Sequence, residues 1–367
     1  MMLHRDSADL VEGARNLVDS AAIEAGETVL ILGDRGSDSP SMEALAAVLK
    51  MIGARPLKLV MDPVSRYGEV PKPVIEAMRA ADTVIWCWPV FLTFASNFRR
   101  ELGLKREDIH RPQTKSRPFY VYFEGTPGLL ATDYARFPNE VLWKIAEKVK
   151  ARVSGGKRVR LVGQNGTDLS ADYDGRQLYG IQTKAGEPAG RIHFPWGRCG
   201  VFNGKGEANG VVFLDCVQGI PGRLTPALKW TVKKSEIVDV EGGDAALECQ
   251  LLFRAVPESN RLVEIMFGYH PKASVERGIA DPMHWELISK MPWVGLGTPR
   301  DHPSFRHLDG AALNARLYID DELLLDEHGR LSLLDDPEII EVAAKYGNSD
   351  SVLAPVSHAG HGSGAVW

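Results

Sequence analysis

Over its first 165 residues the chain alternates helix-like and strand-like segments in regular order, and few folds accept that rhythm. Apolar residues at helical spacing run from Ala8 to Ala25 (Leu10, Val11, Ala14, Leu17, Val18, Ala21) and stop at Gly26. A continuous apolar run, Val29-Leu30-Ile31-Leu32, follows, then Gly33-Asp34-Arg35-Gly36 and a Ser-rich capping stretch before a helix over Met42 to Ile52. Further buried-strand runs are Pro56 to Met61, Thr83 to Trp88, Phe119 to Phe123 and Val159 to Val162. Strands alternating with helices in this way predict an α/β fold, a Rossmann-like open parallel sheet with helices on both faces. The glycine turn after the first strand is not GxGxxG, and no P-loop Lys-Ser/Thr follows it, so the sheet reads as a scaffold and not as a nucleotide site. Trp88 and Phe91 fall where a strand's C-terminal end opens towards the crevice. They are candidates either for core packing or for the wall of an aromatic pocket.

Past residue 165 the pattern changes to short alternating runs broken by glycine, such as Gly190-Arg191-Ile192-His193-Phe194 and Gly210-Val211-Val212-Phe213-Leu214. Ala315 to Leu325 reads as a strand, an acidic turn and a second strand. A chain of 367 residues exceeds one ordinary core. The expected division is a Rossmann-like domain over 1–165, a β-rich α+β metal-binding domain over 166–346, and a tail over 347–367 that is mobile or packs on a partner subunit. His358 and His361 in that tail are not read as ligands. A net charge of -5 offers no footprint for nucleic acid. No run approaches the roughly 20 apolar residues of a membrane helix, and the charged N-terminus does not resemble a signal peptide, so a cytoplasmic protein is expected. A homodimer or higher homo-oligomer is a separate expectation. Cys87, Cys199, Cys216 and Cys249 lack ligand spacing and are expected to be free, buried thiols.

Four of the ten histidines fall between His270 and His307, in a stretch that also holds Glu264, Asp281, Glu286 and Asp309. His307 and Asp309 are separated by one residue in a strand-like segment, so their side chains share a face about 7 Å apart along the backbone. One cation can bridge an imidazole and a carboxylate so placed, whether Fe(II), Mn(II) or Zn(II). Glu264 lies inside the otherwise apolar Leu262 to Gly268. A buried carboxylate there needs either a cation or strong donors such as an arginine.

The order of Gly26-Glu27-Thr28-Val29-Leu30-Ile31, Gly166-Thr167-Asp168-Leu169, Pro188-Ala189-Gly190-Arg191-Ile192-His193-Phe194, Gly206 to Val212, Glu264, Pro271-Lys272-Ala273 and His307-Leu308-Asp309-Gly310 resembles the aminopeptidase T-like superfamily. That superfamily holds the thermophilic leucyl aminopeptidases and the 2,5-dihydroxypyridine 5,6-dioxygenases. For the peptidases the resemblance implies two metals on Glu264, a second Glu matched by Glu286, the HxD pair and a histidine in an HxGxG strand. Here that strand is Trp293-Val294-Gly295-Leu296-Gly297, and an indole N-H cannot ligate a metal. A single metal is therefore expected. For the dioxygenases the resemblance implies mononuclear Fe(II) on two histidines and a carboxylate. His307 and Asp309 match, while the third ligand is either Glu264 or His270. It also implies a substrate pocket that includes Arg191, His193 and Trp196, with His193 as acid/base and Arg191 as a fixed charge for an anionic oxygen.

Two enzymatic readings follow. The first is a mononuclear Fe(II) ring-opening dioxygenase of a small hydroxylated aromatic or N-heterocyclic compound, packed by Trp88, Phe91 and Trp196. The second is a Zn(II)- or Mn(II)-dependent hydrolase of an amide or small cyclic substrate, with Glu286 or Glu264 as general base. A member without metal, serving as a binding protein, is the non-enzymatic alternative.

Overall fold

The computed structural model describes residues 7–64, 68–87, 119–123, 128–187, 191–202, 204–217, 220, 222–273, 291–298 and 306–356. Trp88, Phe91, Glu286, His358 and His361 lie outside them, as does the side chain of Arg191.

The first strands arise from the apolar runs: β1 (Thr28–Asp34), β2 (Arg55–Met61), β3 (Thr83–Cys87) and β4 (Phe119–Phe123). Two further strands, β5 (Arg158–Gly163) and β6 (Asp168–Asp172), turn away into a second sheet, and β7 (Arg191–Phe194) returns to complete the first. The resulting parallel sheet has the order β2-β1-β3-β4-β7. The helix α1 (Ser7–Ser20) precedes β1, and α2 (Ser39–Met51), α3 (Lys72–Ala80) and α4 (Asn139–Ser154) lie between later strands. Leu30, Leu32, Val84, Trp86, Tyr120 and Tyr122 face α3, while Val29, Ile31, Ile85, Val121 and Phe123 join the larger core with α1, α2 and α4. Both faces are thus covered, which is why these strands read as continuous apolar runs.

The second sheet comprises twelve strands among the described residues, paired antiparallel throughout. Besides β5 and β6 it contains β8 (Arg198–Phe202), β9 (Ala208–Leu214), β10 (Cys216–Val217), β11 (Leu228–Lys233), β12 (Glu236–Glu241), β13 (Arg261–Gly268), β14 (Pro292–Gly297), β15 (His307–Ala311), β16 (Ala315–Ile319) and β17 (Glu322–Leu325). Asp320 and Asp321 make the turn between β16 and β17 with φ of 49° and 70°, the left-handed pair that a two-residue hairpin requires. The helix α5 (Gly243–Ala255) lays Ala245, Ala246 and Cys249 against β11 and β12, where Trp230 is fully buried. All four cysteines are free and buried, and burial pushes their thiols up, Cys216 and Cys249 to about 11.

Two expectations change. Strand pairing crosses a cut at residue 165 in both directions, since β5 belongs to the antiparallel sheet and β7 to the parallel one, and one continuous core joins them. Local alternation identifies a strand without naming its partner. The tail also begins with order: Asn348 caps a short helix, Ser349–Leu353, by accepting a hydrogen bond from the Ser351 amide. Lys272 donates to the carbonyls of Ser351 and Ala354 and ties this helix to the body. Among the described residues, no helix is long and apolar enough to cross a membrane.

Candidate metal centre

The strands β13, β14 and β15 lie side by side, and their register sets one polar row: Glu264 opposite Gly295, and Gly295 opposite Asp309. His307 stands opposite Gly297, two residues before Asp309 and on its face. The register between β13 and β14 shifts between Leu262 and Glu264, so Val263 is an extra residue. Without that bulge Glu264 would fall opposite Val294 and its side chain would leave the face of His307 and Asp309.

One ligand atom from each of Glu264, His307 and Asp309 lies within 4.8 Å of the others, and all three residues are buried. His307 Nε2 is 2.8 Å from Asp309 Oδ1. Gly295 keeps the space between them open. A Cβ there would sit 2.7 Å from Asp309 Oδ1, 2.9 Å from His307 Cε1 and 3.0 Å from the Glu264 Cβ. Two carboxylates crowded on one buried patch repel each other, and a divalent cation between them removes that cost. The donor set of one imidazole and two carboxylates fits Fe(II), Mn(II) or Zn(II).

Next to this trio the same face becomes apolar. Trp293 stands opposite Met266 and Ala311, and these pack with Cys216, Met291 and Leu313, with the half-buried Tyr179 against them. Trp293 therefore occupies the trio's own face as an aromatic wall.

His270 does not join the trio. It lies past the end of β13, 1% exposed, with its ring edge-on to Tyr134 at 4.2 Å and to Phe137 at 4.9 Å. Its Nδ1 accepts a hydrogen bond from the Lys272 amide at 3.0 Å. Burial, and then the Lys272 charge, hold its pKa well below the ordinary histidine value. It is a core histidine, and of the two candidates for third ligand only Glu264 is in place. Trp196 is buried, 2% exposed, and edge-on to Tyr269 at 6.3 Å.

His193 stands on the parallel sheet, apart from the trio's strands. Its ring stacks on Tyr122 at 4.9 Å, and Tyr122 stacks on Trp86 at 5.7 Å, in the row that the register of β3, β4 and β7 dictates. Arg191 opens the same strand opposite Tyr120. From β7 the chain passes through Pro195-Trp196-Gly197 into β8, whose Phe202 pairs with Ile265, the residue after Glu264. Sequence reasoning passed over Tyr122, Met266 and the role of Gly295. The signal for Gly295 was its place in the WxGxG strand, which acquires meaning only once the register is known.

The model of the 2,5-dihydroxypyridine 5,6-dioxygenase family matches residues 9–274, which includes Glu264 and ends before His307. Among solved structures, the chain is similar to 2,5-dihydroxypyridine dioxygenase from Pseudomonas putida KT2440, with a TM-score of 0.63 at 16% identity, over 91% of this chain and 99% of that one. It is similar too to AmpT from Thermus thermophilus, with a TM-score of 0.61 at 13% identity, over 89% of this chain and 100% of that one. No curated protein sequence matches it. At such identities the structures speak for the fold, and the family model for the lineage: the chain belongs to the 2,5-dihydroxypyridine 5,6-dioxygenase family.

Proposed function

We propose that the protein is an oxidoreductase, a ring-opening dioxygenase of a small hydroxylated aromatic or N-heterocyclic compound, using one Fe(II) per chain on Glu264, His307 and Asp309. The observation that carries this reading is the composition of the trio's face, three metal-competent donors bordered by an indole. Two carboxylates balance a divalent charge and suit Fe(II) or Mn(II) better than a soft metal. When bound, such a metal supplies a common site for a substrate oxygen and dioxygen. Trp293 and Met266 then offer an apolar surface on which a flat ring can lie with water excluded. His193 holds or moves the proton of the substrate's hydroxyl oxygen, Arg191 provides a permanent positive charge for that oxygen, and Trp88 and Phe91 pack the ring.

A second reading, a Zn(II)- or Mn(II)-dependent hydrolase with Glu286 or Glu264 as general base, is favoured by one specific feature, the carboxylate at position 264. The two separate cleanly. Protein prepared without oxygen and loaded with Fe(II) is expected to take up one equivalent of O2 for each 2,5-dihydroxypyridine whose ring absorbance disappears. Absence of O2 uptake with a panel of dihydroxypyridines and catechols, together with amide hydrolysis by the Zn(II)- or Mn(II)-loaded protein, would replace the first reading by the second.

A further inference from the structure

A cation stands on the metal centre's own face, at the end away from the trio. In β8 the register sets Gly200 opposite Met266 and Arg198 opposite Gly268, while Cys199 and Val201 turn into the core. Arg198 therefore projects on the side of Met266, Trp293 and Glu264. A Cβ added to Gly180 would meet Met266 Cε at 3.1 Å, Arg198 Cγ at 3.7 Å and Arg198 Nε at 3.8 Å, so the arginine arm and the Met266 methyl run side by side. Arg198 is half-buried, and so open to a ligand on this face.

Between this cation and the donors lies a flat apolar floor. Gly200 lets the Tyr179 ring rest directly on β8: a Cβ there would lie 2.2 Å from Tyr179 Cζ, 2.3 Å from Cε2 and 2.4 Å from Cε1. The Tyr179 hydroxyl donates to the Phe202 carbonyl at 2.7 Å and holds the ring in that position. Tyr179, Met266 and Trp293 thus follow one another across β8, β13 and β14. The two ends of the floor, at Glu264 and at Gly268 opposite Arg198, are four strand residues apart, about 13 Å. That span admits one six-membered ring with a polar group at either end. A carboxylate lowered onto such a floor needs a counter-charge, and the guanidinium fork meets it with two parallel hydrogen bonds. We propose that Arg198 binds a carboxylate of the substrate, across the ring from the oxygens that face Glu264, His307 and Asp309, and so selects carboxylated hydroxy-aromatic or hydroxypyridine rings over uncharged ones. The proposal rests on the dioxygenase reading for the orientation of the ring and names which rings that reaction takes.

Calorimetric titration of the Mn(II)-loaded full chain without oxygen tests it apart from turnover, with catechol, 3,4-dihydroxybenzoate and 2,3-dihydroxybenzoate as probes. The wild type is expected to bind 3,4-dihydroxybenzoate at least about tenfold tighter than catechol. Arg198→Met should weaken 3,4-dihydroxybenzoate roughly 10- to 100-fold, and Arg198→Lys should recover part of that loss. Catechol, and 2,3-dihydroxybenzoate with its carboxylate beside the hydroxyls, should change less than about twofold in both variants. No preference for 3,4-dihydroxybenzoate in the wild type, or an equal loss for all three probes in the variants, would overturn the proposal. O2 uptake by the Fe(II)-loaded protein separates the two readings. Uptake with 2,5-dihydroxypyridine but no Arg198-dependent preference sinks the carboxylate subsite alone, whereas an Arg198-dependent preference without uptake on any ring keeps the subsite and sinks the dioxygenase.

Discussion

At the scale of single residues, the centre depends on an atom that is missing. Gly295 lies between Glu264 and Asp309, and any side chain would enter the space that their oxygens and the His307 ring face. Gly295→Ala is expected to lower metal affinity roughly 10- to 100-fold, as loss of supporting geometry does at other metal sites. The crowding should also cost about 1–3 kcal/mol of stability. Calorimetric titration with Mn(II), beside a thermal melt, checks both, and unchanged affinity would show that the donors close on nothing at position 295. His193 makes a different demand, because it is proposed to move a proton and not to hold metal. His193→Ala should lower kcat by roughly 10² to 10⁴ while leaving metal content intact, and Arg191→Ala should act mainly by raising KM. Steady-state kinetics beside metal analysis separates these, and loss of metal from either variant would contradict the assignment. His307 and Asp309 were legible in the sequence because strand alternation alone puts residues two apart on one face. Gly295 was not, since its importance depends on what stands opposite.

At the scale of elements, one bulge decides the chemistry of β13. The extra residue at Val263 turns Glu264 towards β15's histidine and aspartate, and no propensity rule marks Val263 as extra. Two residues past the end of the same strand stands a histidine with the opposite fate. His270 is caged by Tyr134 and Phe137 and held neutral by burial. Its folded pKa is depressed, so the unfolded chain takes up a proton first as pH falls below about 6.5, and the native state loses stability from there downward. The slope should be about 1.4 kcal/mol per pH unit below that point, until the folded pKa is reached. Urea melts between pH 7 and 5 should therefore be steeper in pH for the wild type than for His270→Gln, and identical slopes would show that this ring protonates without unfolding. From sequence, a histidine six residues after a glutamate looked available to the same metal. Only the packing around its ring distinguishes a ligand from a core residue.

At the scale of the whole molecule, the sequence announced both architectures and hid their joint. Apolar runs such as Val29-Leu30-Ile31-Leu32 revealed a doubly covered parallel sheet, and glycine-broken alternation revealed the antiparallel one. The exchange of β5 and β7 between the two sheets was hidden, because pairing partners far apart in sequence leave no local trace. That exchange has a functional consequence. It brings the chain carrying His193 through Trp196 directly into β8, the neighbour of β13, so the proposed proton donor and the proposed ligands belong to one mechanical unit. We propose that Trp293 on the trio's face limits this unit to a single metal, since an indole donates a hydrogen bond and coordinates nothing. Metal content is the most direct measure of this claim. Full-length protein purified without oxygen, loaded with Fe(II) and freed of excess by gel filtration, is expected to retain one iron per chain. His307→Ala and Asp309→Ala should retain none while keeping the wild-type circular dichroism. Two metals per chain, or stoichiometric metal in either variant, would contradict it.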